Sequence, residues 1–357
     1  MGSEEVGEIE RVKKRRKLNL DVLRIVACFL VIVNHTDNKM LLSLTPSKSW
    51  FVSAFIFYIC KVAVPLFIMI SGAVLLGKEE SYKDLYKKRV LKTVLVILIF
   101  SFVYYIDKVR IDGAVFSLKE FWQSILHDPI TNAYWYLYMY LGLIIMLPIL
   151  RKLVKNMQTK DYLYCLGLWA VFMGVFPIVN HYLEYKSITY CFNIPIISVY
   201  VIYFSMGYFI ENKLDTKYFN KTILIICIIL SIICIALSIG LTYYDNIRDA
   251  ENKLFMDNTE YITIAIPSIS LFYIAKYVNL KIGDRINGKI IVNIATHTFG
   301  IYLLSDLLIE KLGFISEYLT MHIQKLLAMF VLELSVFVVG YAITWVLKKI
   351  PLIKKLL

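Results

Sequence analysis

The sequence predicts an all-α protein, a polytopic transmembrane helical bundle of about ten helices with both termini inside. Three observations predict it. Of the 357 residues, 59% are hydrophobic and only 18% are charged, where a soluble domain carries about a quarter charged residues. The apolar residues are grouped in blocks of about twenty, the length that crosses a bilayer as one helix. The Lys and Arg residues between the blocks fall mainly on alternate sides, which sets a direction of insertion.

The spans are expected near 19–41, 50–76, 90–107, 132–150, 161–179, 188–210, 221–242, 260–280, 290–310 and 325–347. Outside Arg24 and Lys61, which lie within spans, 37 of the 39 basic residues occupy tails, loops or span ends. With the N-terminus inside, 27 of them face the cytoplasm and ten face outward. That asymmetry predicts N-in, C-in and an even number of helices. The net charge of +12 is then mostly topology rather than a nucleic-acid footprint.

A basic cytoplasmic tail over 1–18 precedes one transmembrane domain over 19–347, and a basic cytoplasmic tail over 348–357 follows it. The first apolar run is not a cleaved signal peptide. It begins after a polar tail and ends at Asn34-His35-Thr36-Asp37 rather than at a small-residue cleavage site. No repeat of fixed period and no second soluble domain are visible. The longest outer loops, about 108–131 and 243–259, are candidates for acceptor recognition. Cys28, Cys60, Cys165, Cys191, Cys227 and Cys234 all fall in apolar blocks with no C-x-x-C pair. Neither a metal, a redox dithiol nor a disulfide framework is indicated, and no bound cofactor is expected.

Arg24 and His35 are the informative anomaly. Eleven residues apart, they share one helix face, separated axially by ~16 Å at ~1.5 Å per residue. A charge at membrane depth costs ~2.5–3.5 kcal/mol or more, so such residues face a cavity or polar path. Lys61, about mid-span in the second block, is a further one. Its alternatives are a functional contact or a structural partner such as Asp306 or Glu333.

Several segments together resemble the acyltransferase-3 family of integral-membrane O- and N-acyltransferases. NLDVLRIVACFLVIVNHT is similar to that family's opening helix, whose hallmark is Arg-x10-His, here Arg24 and His35. KVAVPLFIMISGAVLL resembles its second signature, with Pro65-Leu66-Phe67 leading into Ser71-Gly72. KKRVLKT is similar to the family's Arg-x-x-Arg element, with Arg89 and then Lys92 at the second position. YWYLYMYLGLIIMLPIL resembles its Leu-Trp-Phe-Leu segment, with Trp135 and Pro148 matching. THTFGIYLLSDLL resembles the Tyr-Leu-x-His helix, with Asp306 where many members carry His, and the closing KKIPLIKKLL is typical. The resemblance runs from about Leu18 to the end and implies ten helices. It also implies transfer of an acyl group, often acetyl, from cytoplasmic acyl-CoA to an extracytoplasmic acceptor.

On that footing the residues take expected roles. An alcohol is a poor nucleophile at neutral pH, and histidine suits the general base that acyl transfer needs. His35 is the expected catalytic residue, acting directly or after carrying the acyl group itself, with Asn34 or Asp37 near enough to orient it. An interfacial histidine is the plainer alternative. Arg24, Lys61, Arg89 and Lys92 are the expected acyl-CoA contacts, Arg24 through its rigid fork of donors. Lys88 belongs to the same basic patch. Ser71, Trp135 and Asp306 are expected to line the path or steady an oxyanion. Trp135 is alternatively an interfacial anchor, and Asn193, His297 and Glu333 are polar residues that line the path or join helices. The ~16 Å between Arg24 and His35 is too long for a dyad and comparable to a pantetheine arm. The pair therefore reads as the two ends of a donor tunnel.

The expected function is a cell-membrane, multi-pass acyltransferase, most simply an O-acetyltransferase using acetyl-CoA. Its acceptor is expected to be a cell-surface glycan, peptidoglycan or lipid-linked sugar hydroxyl. Richness in Ile, Lys, Asn and Tyr fits a low-GC bacterium. The alternative is a small-molecule transporter, for an amino acid for example, using the same polar path. Membrane lipid and acyl-CoA are the expected partners, with no nucleic acid.

Overall fold

The computed structural model describes residues 17–36, 46–113, 115–183, 198–249, 255–283 and 286–357. All regular structure among these residues is helical. Chains of this composition have no alternative in hydrocarbon, where each backbone N–H and C=O must be satisfied within its own segment. Nine helices among the described residues are long and apolar enough to cross a membrane. Of the ten expected spans the sixth, 188–210, falls partly outside the described residues.

In chain order, α1 is Leu18–Thr36, and α2 (Lys48–Cys60) and α3 (Ala63–Leu75) form one broken span. Then come α4 (Tyr82–Asp112), the short α5 (Leu118–His127), α6 (Trp135–Asn156) and α7 (Thr159–Tyr182). The described part of the sixth span is α8 (Val199–Tyr208), which runs on through a wider turn at Phe209–Lys213. The chain finishes with α9 (Lys221–Asp249), α10 (Ile262–Ile282), α11 (Lys289–Thr320), α12 (Lys325–Leu347) and α13 (Pro351–Leu356).

Pro65 explains the break between α2 and α3. It lacks the N–H that would bond the Lys61 carbonyl, and its ring crowds that same carbonyl. The chain accordingly turns at Lys61–Val62, with Lys61 N–H bonding Phe57 O at 3.2 Å and Val62 N–H bonding Ile59 O at 3.3 Å. The 108–131 region, read from sequence as a loop, contains α5. Ser117 caps it by accepting from the Glu120 N–H at 3.3 Å, and Phe121 and Ile125 pack one turn apart against Tyr105.

Helix α1 sits at the centre, against α2, α3, α10, α11 and α12. Helix α9 is peripheral and turns Ile225, Ile229, Ile232 and Ile233 outward, an apolar face compatible with lipid. Between helices, small residues govern approach. A methyl group on Gly72 of α3 would overlap the Phe204 carbonyl of α8, and one on Gly207 of α8 would overlap the Met69 carbonyl. Gly72 is thus a crossing point, not a break.

At the end of the bundle that carries Lys17 (the basic end hereafter), Glu211 ties three helices together. Its buried carboxylate accepts from Asn19 Nδ2 and from Lys276 Nζ, each at 2.7 Å, and pairs with Lys17 Nζ at 3.1 Å. Five described cysteines are free thiols, and Cys191 lies outside the described residues, as do Asn193 and the Arg11–Arg16 tail.

The α3–α8 crossing is testable. Gly207→Val places side-chain atoms where the Met69 backbone stands and is expected to cost about 1–3 kcal/mol. The unfolding midpoint of the purified protein in detergent should fall accordingly. An unchanged midpoint would contradict the close crossing.

Candidate active site

Two cavities enter the bundle from opposite ends. The basic-end cavity, about 410 Å³, is lined by Arg24 of α1 and by Lys88, Arg89 and Lys92 of α4, with Ser71 and Tyr140. The far-end cavity, about 400 Å³, is lined by His35, Lys61, Trp135, Tyr200, Asn132 and Asp257. Arg24 and His35 therefore lie in different cavities, one at each end of α1.

His35 ends α1 beside the middle of α11. Its Nδ1 lies 3.0 Å from Asp306 Oδ1. The second carboxylate oxygen is held from the start of α6, accepting the Thr131 hydroxyl and, at 3.2 Å, the Ala133 N–H. The Ala133 carbonyl in turn accepts Tyr302 Oη at 2.6 Å. Helix α11 is also contacted here by two tyrosines. The Tyr104 hydroxyl of α4 donates to the Leu303 carbonyl at 3.2 Å and accepts from the Leu307 N–H at 3.0 Å. Tyr134 Oη donates to the same Leu303 carbonyl at 2.7 Å. His35, Thr131, Ala133, Tyr104 and Tyr134 thus hold the stretch of α11 that presents Asp306.

Asp306 is the ring's partner, where the sequence pointed to Asn34 or Asp37. Asn34 lines the far cavity, and Asp37 lies outside the described residues. A carboxylate at Nδ1 favours the tautomer with its proton on Nδ1, which leaves the Nε2 lone pair free. That is the arrangement of an oriented general base.

Lys61 corrects an expectation. Grouped from sequence with the acyl-CoA contacts, it stands in the far cavity, away from Arg89 and Lys92. Its partner is Asp257, at 2.5 Å, not Asp306 or Glu333, and its ammonium lies 4.0 Å from the Phe57 ring centroid. The break at Pro65 brings it there. Asp257 belongs to the 243–259 loop that the sequence marked for acceptor recognition.

Ser71 lines the basic-end cavity and returns its hydroxyl to Phe67 O at 2.8 Å, a bond within its own helix. Trp135 lines the far cavity with its ring 6.1 Å from that of Tyr200. Glu333 accepts the Thr36 hydroxyl at 2.8 Å, joining α12 to α1. The His297 ring packs 4.8 Å from Tyr341, with Nδ1 2.7 Å from Asn293 O, and joins α11 to α12. These two serve helix contacts. No group of three His, Cys, Asp or Glu side chains among the described residues is placed to hold a metal.

The basic-end cations are themselves held. Arg24 Nη1 bonds the buried Asp21 at 2.8 Å. Arg89 Nε donates to Glu80 at 2.8 Å, and Arg151 donates to Glu80 and to the Leu75 carbonyl, each at 3.1 Å. Sequence reading passed over Glu80 and Arg151, whose only signal was a charge run. Together they fasten the end of α3 to α4 and α6.

Among the described residues three side chains line both cavities: Phe67, Tyr136 and Tyr302. Their centroids are 6.1 Å (Phe67–Tyr136), 6.5 Å (Phe67–Tyr302) and 5.9 Å (Tyr136–Tyr302) apart. The cavities meet at this layer of rings.

A family model described as an acyltransferase domain matches residues 17–349, nearly the whole chain. No curated protein and no solved structure matches it.

The Glu80 cluster generates a pH dependence. Burial raises the Glu80 carboxyl, but hydrogen bonds and charge from Arg89 and Arg151 outweigh it, and the net pKa lies below the ordinary 4.5. A lowered carboxylate pKa contributes stability above the unfolded value, and that contribution is lost as pH falls through the folded one. The unfolding midpoint should therefore drop below about pH 4.5, the reference value. Glu80→Gln should flatten that drop, which a pH series of melts would reveal.

Proposed function

The chain belongs to the acyltransferase-3 family, and on that premise we propose that it carries a short acyl group, acetyl first, across the cell membrane. The donor in this reading is cytoplasmic acyl-CoA, entering at the basic end. The acceptor is a glycan or lipid-linked sugar hydroxyl in the far cavity. The observation that carries the reading is the His35–Asp306 pair, a base with a half-buried carboxylate behind it, opening on a cavity of about 400 Å³.

The acceptor hydroxyl attacks the thioester carbonyl carbon while His35 Nε2 takes its proton. The carbon–sulfur bond then breaks, and the CoA thiolate leaves with the proton returned by the imidazolium. Asp306 holds the ring through Nδ1 and stabilises the imidazolium that forms. Arg24, Arg89 and Lys92, with Lys88, offer the charge that CoA phosphates require. Trp135 and Tyr200 supply apolar faces for a sugar ring, and Asn34, Asn132 and Asn258 supply amides for its hydroxyls.

Protein in lipid vesicles, given radiolabelled acetyl-CoA and glycan fragments, should release CoA and label the glycan. His35→Ala is expected to slow this by about 10²–10⁴-fold, the usual contribution of a positioned base. Asp306→Asn should approach the same loss, because an amide can donate to Nδ1 and select the wrong tautomer. A folded His35→Ala protein with undiminished transfer would sink the reading. Solute uptake without CoA release would replace it with permeation.

Arg24→Lys keeps the charge but loses the fork. The KM for acetyl-CoA should rise about tenfold while kcat changes little. An unaltered KM would remove Arg24 from the donor site.

A further inference from the structure

Resting on the acyl-transfer reading, we infer that Phe67, Tyr136 and Tyr302 form the partition that selects which acyl group crosses, with Phe67 as its moving member. The basis is geometric. Arg24 and the α4 cations stand in one cavity and His35 in the other, and the three rings are the side chains common to both. An acyl group passing from the cations to His35 must pass between them. Centroid separations of 5.9–6.5 Å leave the rings in mutual contact, so passage requires one to swing aside.

The three are not equally free. Tyr302 is tethered through its hydroxyl to the Ala133 carbonyl at 2.6 Å, within the same knot that fixes Asp306. Tyr136 is stacked on Tyr140, centroids 5.9 Å apart at 11°. Phe67 has no polar group to tether it. It also stands two residues beyond Pro65, in the first turns of α3, where the helix has already lost a backbone bond.

An opening made by one rotating phenyl ring, framed by two fixed phenols, is narrow and apolar. It passes an uncharged, unbranched acyl group on a pantetheine arm. A branched acyl group needs a second ring to yield, and a carboxylated one must shed its hydration without a partner for its charge. The inferred donor class is therefore acetyl and close linear neutral analogues, to the exclusion of isobutyryl and succinyl. Closed, the layer also separates the water of the two cavities.

The test uses the full chain reconstituted in phosphatidylethanolamine–phosphatidylglycerol vesicles holding a pH-sensitive dye. Wild type and Phe67→Trp should hold an imposed pH step, whereas Phe67→Ala should dissipate it several-fold faster. In parallel, CoA release is measured from acetyl-CoA, isobutyryl-CoA and succinyl-CoA. Wild type should prefer acetyl over isobutyryl by roughly tenfold or more, as hydrophobic pockets discriminate added methyl groups. Phe67→Ala should erase most of that preference, with Phe67→Leu in between and serving if the alanine variant does not fold. A tight Phe67→Ala membrane, or an unchanged donor preference, would overturn the inference. The pH step needs no donor, so a leaking variant alongside a wild type that releases no CoA leaves the partition standing and defeats the transferase reading instead.

Discussion

The arrangement of the far half of the bundle depends on one half-buried carboxylate. Asp306 receives His35 from α1 and Thr131 and Ala133 from the start of α6, and Tyr104 of α4 bonds the helical turn that presents it. A carboxylate withdrawn from water is costly unless it is paired or hydrogen-bonded, and these neighbours meet that need. Together they tie α1, α4, α6 and α11. The same contacts seat Tyr302 in the ring layer through Ala133. The surroundings of the candidate base and the packing of the helices are thus one network here.

The basic end is organised differently. Glu211 and Glu80 each collect cations from separate helices, which neutralises positive charge that the rest of that end has in excess. Around the basic-end cavity Arg24 is paired with Asp21, Lys88 with Asp84 and Arg89 with Glu80, and Lys92 stands beside them. The two ends are thus built differently. One sets its cations against carboxylates, and the other sets a histidine against one.

Much of this was legible in the chain itself. The apolar blocks located the spans, because the hydrophobic length and the need for internal hydrogen bonds leave a helix as the single solution. Pro65 is a local cause of the break in the second span, and the spacing of Arg24 and His35 placed them toward different ends of the first. What the sequence could not carry was pairing across the chain. Asp306 meets His35 only after α1 and α11 pack, and Lys61 meets Asp257 only because the break redirects it. Both are tertiary facts with no local periodicity. The seat of Phe67, Tyr136 and Tyr302 is likewise invisible one helix at a time, since each ring lies within an ordinary aromatic-rich span. Gly72 is a further such case, since its close backbone approach to α8 is set by a helix distant in sequence.

The ring layer has an electrical consequence. With aqueous cavities reaching in from both ends, the insulating depth of a bilayer, about 30 Å of hydrocarbon elsewhere, contracts locally to the thickness of a few aromatic rings. A membrane voltage therefore falls steeply there, and an ion crossing would exchange about 2.3 kcal/mol per elementary charge for each 100 mV. A neutral acyl group would exchange nothing. On the proposed function its passage would be insensitive to the energised state of the cell, while the same short distance would make any leak of protons or anions voltage-driven.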